Sequence, residues 1–258
     1  MLESVLQTGV FTFFLVFARV GSAVMLIPGF GESFVPPRMR LMIALGLSLV
    51  IAPVVASGLP KLPGDAITMF LMLGGEIVVG LFLGMVARFI FYALQTAGMI
   101  IAYQTGLANA LVADPTTSAA TVSQGAIFGA FLGIVGVVVI FDSGLHQLIL
   151  GSVVDSYAVF VPGHLPPLGD FSNVAARVVS DSFDLAMRMA APLMVVALIF
   201  YLGLGLLGRL MPQMQVFFVA LPLQISIGLL VLGLSITAVM IFFLHSYGEI
   251  LETALGAG

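Results

Sequence analysis

Arg19, Glu76 and Arg88 lie inside long apolar stretches of the chain, where insertion scales put the cost of a charge at about 2.5–3.5 kcal/mol or more. Such residues face a protein interior or a watery cavity, and two chemistries follow. Arranged along a conduit, they would relay protons. Paired with another helix or subunit through an ion pair or hydrogen bond, they would hold elements together, and this structural reading is preferred. Glu76 and Arg88 are twelve residues apart, about 18 Å along a straight helix, so they do not pair with each other within it.

Other reactive groupings are thin. Asp142-Ser143-Gly144 with His146 brings Ser, His and Asp together in sequence, but neighbours in one turn do not build the geometry of a catalytic triad. The three histidines, at 146, 164 and 245, form no H-E-x-x-H helix, and there is no G-x-x-x-x-G-K-[ST] phosphate loop. With no cysteine, thiolate catalysis and Cys-ligated metal sites are excluded. No catalytic, cofactor-binding or metal-ligating residue is expected, and the chain is not expected to be an enzyme. Arg177, Asp181, Asp184 and Arg188 follow steps of four, three and four, which keeps them on one helical face with opposite charges at i,i+4. The bland reading of that face, solvated outside a bilayer, is preferred to a channel lining.

The elements that carry these residues are those of a membrane protein. Of 258 residues, 61% are hydrophobic and 8% charged, with mean hydropathy +1.23. Soluble domains carry about 25% charge, so this chain cannot coat a water-facing surface of its size. Eight Lys and Arg against twelve Asp and Glu leave a net charge of −4, which gives no basic field for nucleic acid. Met1 to Gln7 contains Glu3 and no basic residue, so the first apolar stretch reads as a retained helix rather than a secretory signal. Arg38, Arg40 and Lys61 flank both ends of one span and give only a weak orientation bias.

A bilayer core takes about 20 helical residues to cross. Uncharged runs at 41–60, 89–113, 115–141, 189–208 and 210–248, joined with shorter ones, predict helices near 5–28, 39–58, 66–105, 125–141, 145–160, 183–210 and 214–247. The stretch 65–113 is too long for one span: it breaks near Arg88, folds as a hairpin, or extends beyond the bilayer. The segments 128–141 and 145–160 are short, and are expected to form a hairpin turning at Asp142-Ser143-Gly144. Pro36-Pro37, Leu59-Pro60-Lys61-Leu62-Pro63-Gly64 and Val161-Pro162-Gly163 mark turns. Gly80 and Gly84, and Gly125, Gly129 and Gly133, repeat at four-residue spacing, which places small residues on one face for close helix packing.

The C-terminal part carries a resemblance. Ala191-Pro192-Leu193, Leu202-Gly203-Leu204-Gly205-Leu206-Leu207-Gly208-Arg209, Met211-Pro212-Gln213-Met214-Gln215-Val216-Phe217 and Leu221-Pro222-Leu223-Gln224-Ile225 together resemble the flagellar biosynthetic protein FliR family. Toward the N-terminus the similarity takes in Pro36-Pro37-Arg38-x-Arg40, Ala52-Pro53, Glu76-x-x-x-Gly80-x-x-x-Gly84, Gln95-x-Ala97-Gly98, Gln104-x-Gly106, Asp114-Pro115, Ser143-Gly144-Leu145-His146 and Val161-Pro162-Gly163. Two departures stand out: Leu145 where the family often has His, and Arg38-x-Arg40 where a Lys is frequent.

That resemblance implies an all-α polytopic membrane protein of long, bent helices and helical hairpins, with a FliP-like part over residues 1–182 and a FliQ-like hairpin over 183–258. It implies a subunit of the flagellar type III protein-export gate, in the bacterial inner membrane at the flagellar basal body. The implied partners are FliP and FliQ homologues, with FlhB and FlhA homologues beyond them, unfolded export substrates and membrane lipid. It further implies that residues 106–123, with Gly106, Asn109, Asp114, Pro115, Thr116, Thr117 and Ser118, form a plug in the pore. The alternatives are the equivalent gate subunit of a virulence type III secretion system and, further off, a small secondary transporter. A transporter calls for an internal repeat, and none is evident.

Overall fold

The computed structural model describes residues 2–107, 124–164, 168–211 and 216–255. Among these the regular structure is helical: α1 Leu2–Val24, α2 Pro37–Val55 continued by a 3-10 turn Ala56–Gly58, α3 Ala66–Gln104, α4 Gln124–Asp142, α5 Leu145–Val159, α6 Leu168–Leu210 and α7 Val216–Leu255. Among the described residues four helical stretches are long and apolar enough to cross a membrane, Pro37–Gly58, Ala66–Gln104, Gly169–Leu210 and Ala220–Leu255. Ala126–Asp142 and Leu145–Val159 meet the same test only when taken together. The protein is an all-α polytopic membrane protein.

Local chemistry explains several helix ends. Pro37 opens α2, where its missing N–H is no loss. Asp65 caps α3 by accepting hydrogen bonds from the Thr68 backbone N–H and hydroxyl, each at 3.1 Å. The expected 5–28 helix stops at Val24, because the chain turns into Pro28 and a left-handed Gly29 at φ 88°. Two helices outrun their expected limits. α6 starts at Leu168 rather than near 183, and α7 continues past 247 to Leu255. Charged residues mark the edge of the hydrocarbon region, not the end of hydrogen bonding, and the helices run on through Asp170–Arg188 and through Glu249 and Glu252.

The stretch after Asp65 resolves in favour of length: α3 is one unbroken helix of 39 residues, about 58 Å long and so nearly twice the hydrocarbon thickness. α6 has 43 residues and α7 has 40. Each contains a proline, Pro192 and Pro222, which removes one i→i−4 bond and favours a bend.

Two compact units divide the chain. One comprises Met1–Ile90, Ser143–Val179 and Gly248–Gly258, the other Phe91–Asp142 and Ser180–Tyr247. In the first, α1 and α3 run side by side in the same direction. A Cβ on Gly80 would strike the carbonyl of Arg19 and the hydroxyl of Ser22, and one on Gly84 would lie 2.7 Å from the Ala23 carbonyl. In the second, α3 and α4 run antiparallel. A Cβ on Gly98 would lie 2.7 Å from the Gly129 Cα, and one on Gly129 would lie 2.8 Å from the Gln95 carbonyl. A Cβ on Gly133 would lie 3.3 Å from the Gln95 side chain. Gly125 opens α4, and its surroundings lie outside the described residues.

Two predictions follow. A Cβ at Gly129 meets backbone that cannot rotate away, whereas Gly203 has nothing within 4 Å. Gly129→Ala is therefore expected to destabilise by about 1–3 kcal/mol through overpacking, while Gly203→Ala is neutral or stabilising by up to about 1 kcal/mol from helix propensity. Thermal unfolding of the two variants side by side checks the contrast. At Asp65, the backbone N–H and the hydroxyl of Thr68 hold the carboxyl below its ordinary value of 3.8. A lowered pKa gives stabilisation that is present above the ordinary value and lost as pH falls through the lowered one. Amide exchange at Thr68 should therefore be faster in Asp65→Ala than in the parent near neutral pH, and the difference should vanish in acid.

Candidate functional site

Gly80 brings α1 and α3 into backbone contact opposite Arg19. Glu76 is one turn earlier on the same face of α3, so the close approach puts a carboxylate within reach of the guanidinium. Arg19 Nε donates to Glu76 Oε2 at 2.6 Å, and the two side chains are 1% and 2% exposed. The neighbours of Arg19 on α1, Leu15, Val16, Val20 and Ala23, are buried with it.

A buried ion pair is tolerable only if its remaining donors and acceptors are matched. Arg19 Nη1 donates to the Ser156 hydroxyl at 3.2 Å and Nη2 to the Phe160 carbonyl at 3.0 Å. The Gly163 backbone N–H donates to Glu76 Oε1 at 3.1 Å. The Tyr157 ring lies 4.0 Å from the guanidinium carbon, a cation–π arrangement, and the buried Tyr157 hydroxyl has no partner among the described residues. Arg19 and Glu76 thus join α1, α3, α5 and the connection that follows α5.

That connection is held by apolar contacts as well. The Phe82 and Phe171 rings stack at 3.8 Å, and Phe160 meets Phe171 edge-on at 5.2 Å. Gly163 takes φ 80°, a conformation that favours glycine, and a Cβ there would meet Pro60 and Met72.

A second ion pair continues along α3. Arg88 Nη1 donates to Glu32 Oε1 at 2.6 Å, with both side chains less than one-fifth exposed. The Glu32 carbonyl accepts from Arg40 Nη2 at 2.8 Å, and the Val35 carbonyl accepts from Arg40 Nε at 3.0 Å. Glu76, Gly80, Gly84 and Arg88 therefore form one four-step stripe of two charges around two glycines. Sequence reasoning singled out Arg19, Glu76 and Arg88 without matching them, and it passed over Glu32, which lies in a turn outside any apolar run. The signal for Glu32 was the stripe itself: a charge one turn beyond Gly84 needs a partner on the element that the glycine admits.

On the charged face of α6, Arg188 Nε and the Asp184 carboxylate pair at 2.7 Å, both well exposed. Screened by water, such a pair contributes little. Of the residues expected in the 106–123 segment, Gly106 is described, at φ 73°. Asn109, Asp114, Pro115, Thr116, Thr117 and Ser118 lie outside the described residues. Among the described residues no group of three or more His, Asp or Glu is placed to hold a metal ion.

Chemically, the Arg19–Glu76 arrangement is a clamp. A proton relay needs a carboxylate open to a water path, and both Glu76 oxygens are engaged by protein donors. Glu76→Ala strands a buried guanidinium at a cost of about 3–5 kcal/mol, and Glu76→Gln is expected to be milder because an acceptor remains. Arg19→Met with Glu76→Met should recover part of the loss of either single change. It should stay below the parent, because Ser156, Phe160 and Gly163 lose their partners. Thermal unfolding of the parent, Arg19→Met, Glu76→Met and the double variant measures the coupling; additive losses would overturn the clamp.

The chain matches the family described as Bacterial export proteins, family 1, over residues 10–250. It is 36% identical over 245 residues to the flagellar biosynthetic protein FliR of Caulobacter vibrioides, covering 92% of this chain and 93% of that protein. It is 30% identical to FliR of Bacillus subtilis, covering 93% and 92%. It is also 29% identical to the Yop proteins translocation protein T of Yersinia pestis, covering 90% and 88%. The match over residues 10–250, with relatives at 30% identity or more over about nine-tenths of the chain, identifies the chain as a member of the bacterial export proteins, family 1.

Proposed function

We propose that the protein is the FliR-type subunit of a flagellar type III export gate in the bacterial inner membrane at the flagellar basal body. In this reading it assembles with FliP and FliQ homologues around a pore for unfolded export substrates, with FlhB and FlhA homologues as further partners. It performs no catalysis of its own, and the driving energy comes from the proton-motive force and other components. The observation that carries the reading is the match to FliR proteins over more than nine-tenths of the chain. Helices about twice as long as the hydrocarbon core fit the long helices that the resemblance implies. The Yop translocation protein T favours a second reading, the equivalent subunit of a virulence system.

Residues 106–123 are proposed as the plug of that pore. Between Ala113 and Ser123 the segment has one charge, Asp114, and one large aliphatic residue, Val122. Small and hydroxylated side chains can fill a narrow passage and leave it without stranding a buried ion. Deleting Thr116–Ala119 is expected to leave recovery of the complex with FliP- and FliQ-type partners unchanged and to make the membrane leaky to small solutes. Loss of the complex would make the segment a connector, and a tight membrane would put the seal in another subunit.

A further inference from the structure

The C-terminal end of α3 is gripped by a buried polar side chain from a helix distant in sequence. Gln224 on α7 is 6% exposed. Its Nε2 donates to the Gln104 carbonyl at 2.8 Å and to the Tyr201 hydroxyl, on α6, at 3.0 Å. The orientation of the amide is chemically determined, because the Gln104 carbonyl can only accept. Gln104 belongs to the last turn of α3, where carbonyls lack intrahelical donors, so Gln224 supplies one of the missing caps.

The same end is pressed from one side and turned at its tip. A Cβ on Gly228, one turn after Gln224, would collide with the Thr105 side chain, and Thr105 is 3% exposed. The Thr105 hydroxyl is spent on the Ile101 and Ala102 carbonyls, at 2.9 and 3.3 Å. At Gly106 the chain leaves the helix with φ 73°, and a Cβ there would lie 3.3 Å from the Gln224 amide carbon. The space among Gln104, Thr105, Leu193, Phe200, Gln224 and Gly228 is about 10 Å³, at the lower limit for one water.

We propose that Gln224 is a positioning residue: together with Tyr201 it fixes the point and direction at which the chain leaves α3 for residues 106–123. Its consequence for sealing rests on the plug reading above, but the anchor itself is a separate matter and is tested separately. Because the chain has no cysteine, Thr105→Cys introduces a unique thiol at the gripped end in place of the hydroxyl, with loss of one methyl group. In the complex with FliP- and FliQ-type partners, that thiol should react slowly with N-ethylmaleimide, read from the mass of this chain. Adding Gln224→Met keeps length and apolar volume but removes both hydrogen bonds. Labelling should then rise about tenfold, the scale expected when a buried carbonyl loses its donor and local opening becomes more frequent.

Gln224→Leu should behave like Gln224→Met, since neither side chain can donate to the Gln104 carbonyl, whereas a role in packing alone would separate these two different shapes. If Gln224→Met yields no complex, Tyr201→Phe decides, as it deletes a single hydroxyl: a measurable rise in labelling supports the anchor. Unchanged labelling in whichever variant is recovered overturns it. Solute leak, measured on the same variants and on the Thr116–Ala119 deletion, separates the two ideas. Leak from the deletion and from Gln224→Met supports both. A tight deletion variant removes the plug reading, while the labelling result still stands or falls for Gln224.

Discussion

The clamp between Arg19 and Glu76 sets the conditions that the surrounding unit satisfies. An ion pair with almost no exposure survives only where every other polar contact is supplied, and here the supply comes from Ser156, the Phe160 carbonyl and the Gly163 N–H. Gly80 is required because the guanidinium reaches the carboxylate only if α1 and α3 touch. Gly163 is required because the donor at that position comes from backbone at φ 80°. The aromatic group of Phe82, Phe160 and Phe171 packs at the same connection. Polar bonds and ring packing hold the same few residues, so disturbing either loosens the other.

Charge in this protein is divided between two environments, and its energetic meaning differs accordingly. Arg19, Glu76, Glu32 and Arg88 are spent inside the fold, where direct pairing is strong and unpaired groups are costly. The Arg177–Arg188 face of α6 is open to solvent, and there the charges mainly keep part of a 43-residue helix in water. Further along the same helix Val195, Leu198, Ile199, Leu202 and Leu206 are exposed large apolar side chains, as suits a surface facing lipid or neighbouring subunits. One continuous helix thus serves two solvents.

Much of this frame was legible in the chain because hydrophobic runs are a direct ruler for membrane helices. The starts of α2, α3 and α5 came within two residues. The beginning of α6 did not: the span was started near 183 from its uncharged run, while the helical face Arg177, Asp181, Asp184 and Arg188 that reaches back beyond it belongs to the same helix. Intramembrane charge identified Arg19 and Glu76 as unusual, yet pairing them depends on the packing of α1 on α3, which no local pattern encodes. Glu32 was invisible to that ruler. Gln224 belongs to a quoted motif, but its hydrogen bonds to the end of α3 and to Tyr201 join residues 120 and 23 positions away.

The sequence separations inside the clamp also carry a consequence for how the protein is made. Arg19 and Glu76 are 57 residues apart, and Arg19 and Phe160 are 141 apart. At a synthesis rate of about 5–20 residues per second, Arg19 leaves the ribosome about 3–11 s before its carboxylate exists and about 7–28 s before its last acceptor. During that interval the first helix carries an unmatched guanidinium, and full burial in lipid is strongly opposed. The order of translation therefore leaves α1 with an unmatched charge until α3 emerges to receive it.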